Sequence, residues 1–148
     1  MIYIDTSAFL KTVWHERESA ALADFLRDRP TVSSALLAVE TRRSTLREDE
    51  ALLPRADLLL EDVTQIELSA AVLESASRLP GPHLRTLDAI HLATALLIRD
   101  DIETVLAYDA RLRDAAEAHG LPTAAPGLTQ ATTTPTQSRT AEAPNAAE

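Results

Sequence analysis

Met1-Ile2-Tyr3-Ile4-Asp5-Thr6-Ser7-Ala8-Phe9-Leu10 sets the strand-then-helix pattern on which the rest of the chain is built. Ile2, Tyr3 and Ile4 form a short β-branched and aromatic run, the signature of a strand buried on both faces. Asp5 stands at the carboxyl end of that strand. Thr6 or Ser7 then offers an N-cap for a helix carrying Phe9, Leu10 and Val13. Ligands of open parallel sheets bind in the crevice outside the carboxyl ends of the strands. A carboxylate there, with no basic neighbour in sequence, needs a cation or a hydrogen-bond donor. The alternative is that Asp5 itself caps the helix, and this stretch alone is compatible with both.

The same rhythm returns further along. Residues 18–28 predict an amphipathic helix burying Ala21, Leu22, Phe25 and Leu26, stopped by Pro30. Thr31 and Val32 predict a second short strand, and Ser33 or Ser34 caps a helix over 35–48. Residues 50–60 read as helical, with Pro54 either an interruption or a helix start. Val63, Ile66 and Leu68 predict a strand or strand-like connection, and Ser69 caps a helix that runs to Arg78 and ends before Pro80-Gly81-Pro82. The helix over 86–99 is the most apolar. Leu87, Ile90, Ala93, Thr94 and Leu97 line one side and Leu92, Ala95 and Ile98 cover much of the other, which places it in the middle of a domain. Residues 104–108 predict a strand with Asp109 at its carboxyl end, 110–119 a helix closed by Gly120, and 121–125 a last strand. This alternation predicts the α/β class: an α/β/α sandwich around a mostly parallel sheet, formed by residues 1–127. From 128 to 148 the composition turns to Thr, Ala, Pro, Gln and Ser, and a disordered tail is expected.

The totals exclude several classes. A chain of 148 residues is one domain by length. It has no cysteine, which removes disulfide scaffolds, zinc–thiolate sites and cysteine nucleophiles and suits a reducing cytoplasm. Asp5 interrupts any signal-peptide pattern, and no apolar stretch approaches the length of a membrane span. The net charge of −9 and the 3% aromatic content argue against holding nucleic acid by bulk attraction or base stacking. That objection weakens where carboxylates share divalent cations. Gly81, Gly120 and Gly127 are scattered, so no dinucleotide fingerprint or P-loop exists, and Gly-x-Ser-x-Gly and His-Glu-x-x-His are absent.

The carboxylates carry the remaining signal. Asp5 and Asp109 end two strands and share an edge if those strands are neighbours. Glu40 lies one turn on from Leu36 and Leu37, so it borders an apolar stripe; the alternative is an internal ion pair with a neighbouring arginine. Asp88 sits in the first turn of the apolar helix, where the helix dipole alone favours an acid. His91 shares its face, as a hydrogen-bonded core histidine or as a ligand. Two carboxylates about 4 Å apart repel by about 4 kcal/mol at an effective dielectric of 20, so four acids in one cleft need protons or cations. All-oxygen ligation favours Mg²⁺ or Mn²⁺ over zinc, and such ions activate water against a phosphodiester.

Ile4-Asp5-Thr6-Ser7-Ala8, Ser33-Ser34 with Glu40-x-Arg42, Leu84-Arg85-x-Leu87-Asp88-Ala89-Ile90-His91-Leu92-Ala93-Thr94-Ala95, and Tyr108-Asp109-x-Arg111-Leu112 together resemble the motifs of PIN-domain nucleases. They most resemble the VapC toxins of bacterial toxin–antitoxin pairs. The resemblance spans 1–127 and implies a metal-dependent endoribonuclease, usually dimeric and inhibited by a cognate VapB-like antitoxin. It maps the family's acidic quartet onto Asp5, Glu40, Asp88 and Asp109, with the Thr6 or Ser7 hydroxyl close by. Lys11, Arg42, Arg43 and Arg85 are candidate phosphate contacts, each with a solvated or paired surface role as its alternative. Trp14, Phe25 and Leu26 offer a groove for a partner helix, or ordinary core. Two other functions stay open: an inactive module whose acidic cleft binds a partner's arginine, and a phosphotransfer enzyme with Asp5 as nucleophile. The latter needs a poised lysine, and Lys11 is the only one.

Overall fold

The computed structural model describes residues 1–128, so the tail expected over 128–148 lies outside the described residues but for Leu128. Five strands form one sheet: β1 (Ile2–Ile4), β2 (Thr31–Ser34), β3 (Val63–Ile66), β4 (Thr104–Leu106) and β5 (Thr123–Ala124), in the order β3-β2-β1-β4-β5. Every pairing is parallel. Parallel neighbours need crossovers, and the chain provides them as helices α1 (Thr6–Val13), α2 (Ser19–Leu26), α3 (Leu36–Glu48), α4 (Leu53–Glu61), α5 (Ala70–Arg78), α6 (Thr86–Leu97) and α7 (Ala110–Ala118).

The period-two alternation of β1 divides the core. Ile2 and Ile4 face one side, with Phe9 and Val13 of α1, Leu22 of α2, Leu37 of α3 and Leu60 of α4. Tyr3 faces the other, with Val32, Val105, Leu92 of α6 and Leu112 of α7. Helix α5 packs against α6 through Val72 and Ala76. The result is the expected sandwich, and its central strand is buried on both faces.

Several local expectations change. Asp5, not Thr6 or Ser7, is the N-cap of α1, because its carboxylate reaches the Ser7 N–H at 3.0 Å while both hydroxyls are drawn into other bonds. Pro54 marks a start, at the first turn of α4, where its missing N–H costs nothing. Ser33 and Ser34 belong to the strand, although Ser34 Oγ still accepts from the Leu36 N–H at 3.2 Å. Helix α6 ends at Leu97 rather than Arg99, and Leu87 and Leu97 are exposed at 45% and 63%. Its buried side is instead Ala89 and the run from His91 to Ala95.

Candidate active site

The order in which strands are added reverses at β1: from it the sheet grows outward to β2 and β3 on one side, and then to β4 and β5 on the other, all parallel. Ile4 pairs with Leu106 across this switch point, so the carboxyl ends of both strands open onto one crevice. Asp5 leaves β1 there and Asp109 follows β4. Helix α3 starts from the end of β2 and brings Glu40. Helix α6 brings Asp88 and His91.

Ser7 ties the two strand ends together. Its hydroxyl donates to Asp5 Oδ2 at 2.6 Å and accepts from the N–H groups of Tyr108 at 2.8 Å and Asp109 at 3.3 Å. Asp5 is 5% exposed, and its other oxygen, Oδ1, lies 3.7 Å from His91 Nε2. The Thr6 hydroxyl donates to Glu40 Oε2 at 2.6 Å, and His91 Nε2 lies 2.7 Å from the same oxygen. Glu40 therefore pairs with a histidine and a threonine rather than with an arginine of its own helix. Burial works to raise its carboxyl, but the bonds from His91 and Thr6 and the charge of His91 overcome it and hold Glu40 below the ordinary value.

Asp88 is shifted the other way. Burial pushes its carboxyl up, and the negative charges of Asp109 and Asp5 push it further. Its Oδ2 is buried and has no hydrogen-bond partner among the described residues. An acceptor stranded beside two further carboxylates is what a cation would satisfy. Asp109 accepts at Oδ1 from the N–H groups of Arg111 at 2.8 Å and Leu112 at 3.4 Å, and faces the Arg111 guanidinium at 3.4 Å. Burial acts to raise it, and the Arg111 bonds outweigh that and keep it low.

Asp88 feels the charges of Asp5 and Asp109, while among the described residues Glu40 is linked to Asp5 only through His91. As placed, among the described residues no three carboxylate or imidazole groups are near enough together to ligate one ion. Asp109 is engaged with Arg111 and the start of its own helix. The donor set itself fits a hard divalent cation: four carboxylates, no thiolate, and a buried oxygen without a partner.

The candidate basic contacts separate. Lys11 is held between Glu16 and Glu18, the latter at 3.0 Å, and lies over the Tyr108 ring 4.8 Å from its centroid. It is therefore not poised for phosphotransfer from Asp5. Arg42 pairs with Asp57 at 2.8 Å. Arg43 and Arg85 are exposed and form no ion pair among the described residues. Arg111 was not among the candidates; its signal was its place in the Asp109-x-Arg111 motif. His91, read from sequence mainly as core, is indeed buried at 1% exposure, yet bonds outward to Glu40. Trp14, Phe25 and Leu26 are half-buried against the α1–α2–α4 core, and Trp14 also lines a cavity of about 430 Å³ with Ala20, Ala23 and Leu59.

Comparison with known proteins identifies the family. The PIN domain family model matches residues 2–118. Ribonuclease VapC35 of Mycobacterium tuberculosis is 41% identical over 132 residues, covering 86% of this chain and 98% of the relative. Ribonuclease VapC46 of the same organism is 41% identical over 126 residues, covering 84% and 97%. The crystal structure of Mycobacterium tuberculosis VapC20, described as a sarcin–ricin loop cleaving toxin, shares the fold with a TM-score of 0.66 at 18% identity over 82% of this chain and 96% of that one. With the family model spanning most of the chain, ribonuclease relatives at 41% identity and the shared fold, the chain belongs to the PIN-domain family, among the VapC ribonucleases.

Proposed function

We propose that this chain is a Mg²⁺- or Mn²⁺-dependent endoribonuclease, the toxin of a toxin–antitoxin pair, with Asp5, Glu40, Asp88 and Asp109 as its metal ligands. The observation that carries the reading is the partnerless, buried Asp88 Oδ2 beside Asp5 and Asp109 at the switch point of the sheet. The relatives named as ribonucleases support RNA as the substrate. A divalent ion, when bound, neutralises the acids and activates water for attack on the phosphodiester.

The chain's own residues do the rest. Ser7 holds the ends of β1 and β4 in register and leaves Asp5 Oδ1 free of hydroxyl donors. Thr6 and His91 occupy one oxygen of Glu40. Arg111 stands beside Asp109, exposed enough to exchange that carboxylate for a substrate phosphate, and the exposed Arg43 and Arg85 are further candidate phosphate contacts. Attraction to RNA is local, since the chain as a whole carries −9.

The groove between α1, α2 and α4, with its apolar Trp14, Ala20, Ala23 and Leu59, suits an amphipathic helix of a VapB-like antitoxin. A homodimer in the cytoplasm completes the proposal; among the described residues no helix is long and apolar enough to cross a membrane. Purified, antitoxin-free protein is expected to cleave RNA with Mg²⁺ or Mn²⁺ and to lose that activity with EDTA or Asp5→Ala. Cleavage surviving either treatment overturns the mechanism. Tight antitoxin binding with no metal uptake and no cleavage of any RNA pool supports an inactive interaction module instead.

A further inference from the structure

The buried face of α6 carries a group that the four-acid reading does not use. His91 is 1% exposed, and both its ring nitrogens are engaged. Nδ1 lies 2.9 Å from the Tyr3 hydroxyl, and Nε2 lies 2.7 Å from Glu40 Oε2. Tyr3 is fully buried, and burial, reinforced by the Asp5 charge, keeps it a neutral phenol. Its oxygen accepts from the Ser34 N–H at 3.2 Å, so its own proton is available to donate. A relay of hydrogen bonds therefore runs from the end of β2, through β1 and α6, to the carboxylate on α3.

The direction of the relay is set by chemistry. A phenol that donates to Nδ1 leaves the imidazole proton on Nε2, pointing at Glu40. A protonated ring carries a hydrogen on Nε2 as well. In both forms Nε2 donates to the carboxylate, so the arrangement does not depend on the charge of His91. The Thr6 hydroxyl donates to the same oxygen at 2.6 Å, and Glu40 Oε1 receives no bond among the described residues. His91 reaches a part-exposed acid 51 residues away in sequence.

We propose that His91, braced by Tyr3, is a positioning residue for Glu40: it clamps one carboxylate oxygen and thereby presents the other to the divalent cation. This rests on the reading of Glu40 as a metal ligand. Groups that orient metal ligands in this way typically matter by about 10- to 100-fold in metal affinity.

The test is Mn²⁺ titration calorimetry on the full chain, with thermal melting measured alongside. The Tyr3→Phe/His91→Leu double variant removes both side chains of the buried pair together, which spares stability more than orphaning one of them, and leaves the Ser34 N–H without its phenol acceptor. It is expected to fold and to bind Mn²⁺ about 10- to 100-fold more weakly. His91→Gln, whose longer amide can still donate to Glu40, is expected to recover most of the affinity. If the double variant does not fold, His91→Asn, too short to reach Glu40, replaces it. Equal Mn²⁺ affinity in wild type and double variant, or in the Gln and Asn variants, overturns the positioning role alone. Absence of Mn²⁺ binding by the wild type overturns the metal reading along with it.

Discussion

Replacing Asp88 by asparagine will make the metal-free protein more stable while abolishing its nuclease activity. Asp88 Oδ2 is buried without a partner, next to two other carboxylates. An amide of the same shape removes the repulsion and turns a donor toward those acceptors. A buried polar atom left unsatisfied costs about 1–3 kcal/mol, and more when charged. Recovering about 1–2 kcal/mol raises the melting temperature by roughly 4 °C per kcal/mol in a domain of this size. The pH dependence follows from the direction of the shift. The folded carboxyl holds its proton to higher pH than the unfolded reference of 3.8, so the native state binds the extra proton just above that value. The stability Asp88 contributes is present below the unfolded value and is lost as pH rises through the folded one. The variant's advantage is therefore near zero at pH 3.5 and opens as the pH passes upward beyond about 4. Melting followed by circular dichroism in EDTA at several pH values measures it. Adding Mn²⁺ will raise the wild-type transition more than that of the variant. A variant that melts at or below wild type at pH 7 without divalent ions, or an advantage independent of pH, refutes the electrostatic account of Asp88.

Ser7→Ala removes the link between Asp5 and the Tyr108 and Asp109 N–H groups. It will destabilise the fold by about 1–3 kcal/mol in denaturant titration and slow cleavage, and an unchanged midpoint would refute the bridging role. Leu22→Ala, at a position with 0% exposure in the core that α2 shares with Ile4 and Phe9, will cost about 2–5 kcal/mol in the same assay. Arg111→Ala will raise the KM for RNA and lower the salt dependence of binding, whereas unchanged values would confine Arg111 to pairing with Asp109.

Much of the fold is legible from residue pattern. Ile2-Tyr3-Ile4 announces a strand with two dry faces, and the structure places the isoleucines in one core and the tyrosine in the other. Ser69 and Pro54 mark helix starts because capping and proline geometry are local effects. Where local rules competed, tertiary bonds decided. Thr6 and Ser7 are good caps by type, but a distant acid and a neighbouring strand claim their hydroxyls, and Asp5 takes the capping role. Leu87 and Leu97 read as core on an apolar helix, yet which side of α6 meets the sheet is not written in a nearly uniform apolar pattern.

The alternation of strand and helix, the dry central strand and the identity of the acids are all legible in the residues, because each follows from neighbours a few residues apart. Packing of the whole chain set β1 beside β4, brought Glu40 to His91 rather than to an arginine, and left Asp88 an oxygen with no partner among the described residues. These are relations between groups up to about a hundred residues apart. Their energies depend on burial and charge brought together by the sheet, which no local pattern encodes.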